Sequence, residues 1–243
     1  MSFSFHSRVM LKLVITCEHG GNKIPKEYEH LFNDHKEVLN THRAWDPGAL
    51  LIYNNFINKN EYFHLHSDIS RLLIELNRSL HHSKLFSEFT NDLDIISKNK
   101  IIADYYSPFR SKVYNEIESL IKSDFQVLHL SLHTFTPVLN GVKRNTDIGF
   151  LYDPKSSGEK FFAKLWKNEL VLHSSLKVRF NYPYLGISDG HTSYLRKKFG
   201  YNNYFGIELE VNQNLYYTKS SNFNSVIDEI TSSFWTSFSQ FKN

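Results

Sequence analysis

Apolar positions along this chain fall into two rhythms, one of period two and one of period near 3.6, and they alternate. Residues 11–17, LKLVITC, are an apolar and β-branched run that predicts a strand. Residues 47–58, PGALLIYNNFIN, open on Pro47 and carry Leu50, Leu51, Tyr53 and Ile57, which predicts a helix with proline in its first turn. Residues 61–66 read as extended. From Ser107-Pro108 a helix is predicted, because Phe109, Val113, Ile117, Leu120 and Ile121 share one helical face. Phe125 to Leu132 is a predicted strand with Leu128, Leu130 and Leu132 on one side. A helix is expected over 158–171. Phe205, Ile207, Leu209 and Val211 alternate strictly, as in a strand. A last amphipathic helix is expected over 223–241, through Phe223, Val226, Ile227, Ile230, Phe234 and Phe238. Strands alternating with helices predict an α/β fold, a three-layer α/β/α sandwich, expected as a single domain over 1–243. In such folds ligands sit beyond the carboxyl ends of strands.

Composition narrows the function classes. The 243 residues are 41% apolar and 15% aromatic, enough for a sizeable core. A net charge of +3 without any Lys/Arg run argues against a nucleic-acid partner. One cysteine excludes an intrachain disulfide framework and fits a reducing compartment. No apolar run approaches the ~18 residues of a membrane span, and no leader is read in MSFSFHSRVMLKLVITC, so a cytoplasmic protein without a membrane partner is expected. The oligomeric state is left open.

The polar outliers carry the chemistry. His19 follows the first predicted strand, and His133 follows the strand 125–132, so both fall at one edge of a parallel sheet. Two imidazoles at strand ends are a reasonable zinc pair, or simply hydrogen-bonded residues. In YFGIELEV the apolar residues take one face and leave Glu208 and Glu210 on the other. That pair reads as an edge strand with a solvated face, or as a general base beside a metal site. Arg71, Asn77 and Arg78 lie in ISRLLIELNRSLHH, where an arginine fork suits a substrate carboxylate. In THRAWDPGAL, Asp46 is either a helix N-cap before Pro47 or a metal carboxylate. Cys17 and His19 share a strand face, which leaves a thiol hydrolase open, although a buried packing cysteine suits the run better. Glu18 alternates away from both.

With these stretches in order, the chain resembles the N-formylglutamate amidohydrolase family. The matching pieces are CEHGGNKIP (17–25), HRAWDPGA (42–49), SRLLIELNRS (70–79), LHTFTPVLNGVKRNTDIGFLYD (132–153), NYPY (181–184) and LEVNQNL (209–215). The resemblance implies a zinc carboxypeptidase-like (phosphorylase/hydrolase-like) fold with a central mixed, mostly parallel sheet. It implies one zinc or other divalent ion and a small-molecule N-acyl amino acid substrate, with formate released in the best-known case. Carried onto this chain, His19 and His133 become metal ligands, Glu210 the general base in preference to Glu208, and Asn77-Arg78 the grip on the α-carboxylate. Arg144 falls on a family arginine and could hold a second acidic group.

Carboxypeptidase-like relatives use a His-x-x-Glu ligand pair, whereas the matching position here is Asn22. Asp46 is therefore the expected third ligand, with the Asn22 carbonyl oxygen as the other choice. The glycines at 20 and 21 and Pro25 are expected to turn the backbone close to a metal at His19. Asn212 and Asn214 stand where the family often carries Arg and Asp, which keeps two further readings open. One is an amidase or peptidase on larger N-acylated substrates, and the other is a binding protein that retains the fold without catalysis.

Overall fold

The run at 11–17 forms a strand that is buried almost throughout, as its β-branched residues favour. The computed structural model describes residues 10–58, 62–218 and 222–242. The leader-free reading of residues 1–9 and the extended reading of residue 61 fall outside the described residues. The strands in chain order are β1 (Leu11–Cys17), β2 (Phe63–His66), β3 (Gln126–Phe135), β4 (Val138–Leu139), β5 (Val142–Lys143), β6 (Ile148–Leu151), β7 (Val178–Phe180) and β8 (Tyr204–Asn212). The α-helices are α1 (Ala49–Ile57), α2 (Ile95–Ile101), α3 (Ser107–Lys122), α4 (Ser157–His173), α5 (His191–Phe199), α6 (Gln213–Thr218) and α7 (Phe223–Lys242). Six strands form one sheet in the order β2-β1-β3-β8-β6-β7, parallel except where β6 meets β8. β4 and β5 form a separate antiparallel hairpin.

Period-two alternation sorts the two faces of this sheet. On one face Leu128, Leu130, Leu132, Ile207, Leu209 and Val211 join the apolar sides of α1, α4 and α7. Trp166 of α4 stacks on Phe150 with ring centres 4.3 Å apart and donates Nε1–H to Ser233 Oγ of α7. The opposite face carries α3 and α5 over Val14, Val127 and Tyr204. Its remaining inward positions are polar: Thr16, His129, Ser131, His133, Glu208 and Glu210 are all buried. The mixed, mostly parallel sheet with helices on both sides is the expected architecture.

Several local expectations shift. β3 runs on to Phe135, so His133 lies within a strand rather than after it. β8 is central and buried along its whole length, which removes the edge-strand reading of Glu208 and Glu210. α1 starts at Ala49 behind Gly48, whose φ of +90° places it in the left-handed region, and Asp46 does not cap the helix. The helix at Ile95–Ile101 was not anticipated, because Ile95 and Ile96 are exposed and offer no core-facing stripe. Its start is set instead by Asp94, which accepts from the Ile96 and Ser97 N–H groups. A π turn at Ile102–Tyr106 then joins α2 to α3.

Gly149 of β6 is fixed by close approach. A Cβ there would lie 1.9 Å from the Tyr182 carbonyl oxygen and 3.3 Å from Glu210 Cβ. Gly149→Ala is expected to destabilise the fold by about 2 kcal/mol or more, through forced backbone movement. Urea unfolding should show a lower midpoint at unchanged slope.

Candidate active site

The site grows from strand register. Ser131 of β3 lies beside Thr16 of β1 and Glu208 of β8, and His133 lies beside Glu210. His19 sits just past β1. The loop before α1 is tied to it by the Asp46 N–H donating to the His19 carbonyl at 3.0 Å. His19 Nδ1 then lies 3.2 Å from His133 Nδ1 and 3.3 Å from Asp46 Oδ2, and His133 Nδ1 lies 3.1 Å from the same oxygen. The ligand atoms of these three buried residues all fall within 4.8 Å of one another.

The surrounding hydrogen bonds decide what those atoms are. His19 Nε2 meets Glu75 Oε1 in a short contact, and a carboxylate only accepts, so Nε2 carries the proton. His133 Nε2 lies 2.9 Å from Ser131 Oγ, whose hydroxyl donates to Glu18 Oε2 at 2.8 Å. The proton of His133 is therefore also on Nε2, pointing to Ser131 and to Glu18 Oε2 at 3.5 Å. In the neutral rings both Nδ1 atoms are then acceptors, and Asp46 Oδ2 is a third. Three acceptors facing one point could hold a cation, and two imidazoles with one carboxylate suit a divalent ion such as zinc. The carboxylate behind each imidazole is the outer support such ligands use.

Charge balance follows from burial and these pairings. Burial alone would lower the His133 pKa. The hydrogen bond to Asp46 and the charges of Glu18 and Asp46 outweigh it and raise it to about 10, so in the metal-free chain a second proton, on His133 Nδ1, takes the place of a cation and is donated to Asp46. Asp46 and Glu75 are buried too, yet both are held well below the usual carboxylate range, Asp46 chiefly by His19 and Glu75 chiefly by Arg71. Glu210 differs. Burial pushes it up to about 8 against the opposing His133 charge, and its Oε2 is buried without a hydrogen-bond partner.

A cavity of about 160 Å³ opens over this cluster, lined by His19, Asp46, His133 and Glu210 on its floor and by Arg71, Asn77, Arg78 and Tyr184 at its sides. Arg71 turns its fork onto Glu75 Oε2 (2.7 Å from Nε) and sets Nη1 3.2 Å from Asp46 Oδ1. Asn77 Oδ1 accepts from the His191 N–H at 2.6 Å, so it caps α5 from outside. Arg78 donates Nη1–H to the Asp189 carbonyl. Arg144 lies behind Tyr184, with Nη1 3.3 Å from the phenol oxygen and the guanidinium 5.1 Å from the ring centre. Glu208 shares the cavity wall but accepts a short hydrogen bond from Thr192 Oγ1.

Some readings change here. Asn22 donates its amide to the Leu39 carbonyl at 2.7 Å, while Asp46 joins the histidines. Cys17 packs in the apolar core, and burial raises its thiol well above the usual value, which disarms the thiol reading. The close approach at Gly21 is to Asp68, whose carbonyl oxygen would lie 2.5 Å from a Cβ, rather than to the cluster. Asn212 is a buried brace donating to the Thr146 carbonyl at 2.8 Å. Glu18, set aside on alternation, is fully buried and accepts from Thr16 and Ser131, with His191 Nδ1 3.0 Å from its Oε1. Sequence reasoning missed Glu18, Glu75, Ser131, His191 and Tyr184. A signal existed for Glu75, a lone charge in the apolar run LLIEL four residues after Arg71.

Comparison with known proteins bears on the same stretch. The family described as N-formylglutamate amidohydrolase matches residues 11–217. Among solved structures, the chain is similar to a gene product of Agrobacterium tumefaciens (24% identity, TM-score 0.81, 96% of this chain and 92% of that one). It is also similar to an N-formylglutamate amidohydrolase from Ralstonia eutropha (16% identity, TM-score 0.70, 96% and 94%). At these identities the structural likeness speaks for the fold. No protein with a curated function matches the sequence.

The raised His133 value has a sign that can be checked in metal-free protein. Its stabilising contribution is fully present below pH ~6.5 and is lost as pH rises toward about 10. An NMR titration should find His133 still protonated at pH 8 after chelation. In Asp46→Asn its pKa should fall, and an unchanged value would contradict the pairing.

Proposed function

We propose, from the premise that the chain belongs to the N-formylglutamate amidohydrolase family, that it is a metal-dependent hydrolase of N-formyl or other N-acyl amino acids. The observation that carries this reading is the acceptor cluster of His19, His133 and Asp46 beside the unpartnered Glu210 Oε2. A divalent ion held by those three residues, zinc in the first instance, supplies Lewis-acid polarisation of the acyl carbonyl and acidifies water.

Glu210 acts as general base. It takes a proton from the attacking water and delivers it to the leaving nitrogen as the C–N bond breaks, giving formate and a free amino acid. Its place beside His133 in the sheet register fixes it on the cavity floor. Asn77 and Arg78 hold the α-carboxylate with the donors that Asp189 does not use, which supplies orientation. Arg144 and Tyr184 receive a second acidic group, as in a glutamate side chain. Arg71 fixes Asp46 and Glu75 and meets the substrate with its partly exposed edge.

Purified protein is expected to carry about one zinc ion per chain and to release formate from N-formylglutamate. Glu210→Gln should keep its metal and lose roughly 10²–10⁴-fold in kcat, while Arg78→Ala should mainly raise KM. Folded, metal-free protein that still releases formate would overturn the metal reading. Glu75→Gln and Ser131→Ala should each weaken zinc by about 10–100-fold in a chelator competition, because each loosens an imidazole.

A further inference from the structure

A second cavity, of about 390 Å³, lies between α3, α5 and the segment at residues 79–81. At its wall sits Arg110, which is buried, with 7% of its surface exposed. The other deeply buried or engaged arginines have evident anionic partners or stand where an anionic substrate is proposed to bind. Arg196 meets Glu159 at 2.6 Å, Arg71 meets Glu75 and Asp46, and Arg144 stands by the proposed substrate pocket. Arg110 has no such partner. Its Nη1 donates to the Leu76 carbonyl at 3.0 Å, and among the described residues no carboxylate pairs with it. No carboxylate of the described residues touches the buried guanidinium, since Glu18 and Asp189 act on it only through space, and burial outweighs them and lowers its pKa.

What surrounds it is organised. Tyr106 and Tyr194 flank the guanidinium, with ring centres 5.4 and 4.9 Å away. Lys198 adds positive charge, with its ammonium 5.7 Å from the Tyr194 ring centre. Tyr114 contributes a third ring to the wall. Its hydroxyl donates to Glu118, a carboxylate already neutralised by Lys122 at 2.8 Å.

We infer that this cavity is a second binding site, separate from the His19–Asp46–His133 cleft, for a small organic anion. Carboxylate or phosphate oxygens meet Arg110, and an apolar or aromatic body packs against Tyr106, Tyr114 and Tyr194. The site adjoins the catalytic cleft. Tyr106 OH donates to the Arg78 carbonyl at 2.7 Å, and Ser79 of the cavity wall follows Arg78 in the chain. A ligand there rests against the back of the segment whose other side carries Asn77 and Arg78.

Benzoate, inorganic phosphate and neutral benzamide are the probes, titrated calorimetrically into the full chain with zinc and again after chelation. Saturable binding of benzoate or phosphate, unchanged by chelation and absent with benzamide, is expected. Benzoate tighter than phosphate assigns a carboxylate ligand, and the reverse assigns a phosphate. Arg110→Gln should weaken the bound anion at least roughly tenfold. Because that variant also removes the Leu76 bond, Tyr194→Ala, at a ring 36% exposed, is the second variant and should weaken benzoate while leaving Tm unchanged. Absence of saturable binding overturns the inference, as does binding that both variants leave intact or that chelation abolishes. Binding to metal-free chain decides this site alone, whereas formate release decides the catalytic reading.

Discussion

Two imidazole nitrogens and a carboxylate oxygen stand 3.1–3.3 Å apart, all three of them acceptors when the rings are neutral, and much of the molecule serves to keep them so. Such a cluster repels itself unless a cation or a proton fills it. It persists because each imidazole is pinned from behind, His19 by Glu75 and His133 by Ser131 and Glu18. Those supports are themselves held. Arg71 grips Glu75, and Thr16 and His191 hold Glu18. Remove one support and an imidazole is free to turn or change tautomer, so the polar network is a single unit rather than a set of independent contacts.

That unit is affordable only because the sheet separates two interiors. The same strands that send Leu128, Leu130 and Leu132 into an apolar core send His129, Ser131 and His133 to the other side. There a chain of hydrogen bonds runs from Tyr204 OH through His129 and Thr16 to Glu18. Burial holds His129 and His191 neutral, with pKa values lowered to about 3 and about 4, so these rings brace the network without adding charge. Among the described residues, two side-chain atoms of this polar interior are buried without a hydrogen-bond partner, His191 Nε2 and Glu210 Oε2, and of the two residues only Glu210 lines the cavity. An unpaired buried carboxyl facing a cleft is a candidate functional group, and the proposed role of Glu210 rests on that.

Legibility tracked distance along the chain. Strands β1 and β8 and helices α3, α4 and α7 were readable because long periodic runs report which face is buried. β6 and β7 are too short to show a period, and the helix at Ile95–Ile101 has no apolar stripe to read. His19, His133 and the glutamates stood out as polar residues at strand ends or on strand faces. His191 did not, since it looks like an ordinary residue until the fold places it against Glu18, and Glu75, a lone charge in an apolar run, gave no sign that it meets His19.

The sequence by itself determined the alternation that makes a two-sided sheet, and with it the row of polar residues on β3 and β8. Period-two geometry needs only local neighbours, so it is written in the order of residues. Tertiary structure alone decided which of Asn22 and Asp46 meets the histidines and which nitrogen of each ring carries the proton. It also decided that Glu18 is a brace and that Arg110 lacks a partner. Those outcomes depend on contacts between strands and loops far apart in the chain, and nothing in a residue's own neighbourhood specifies them.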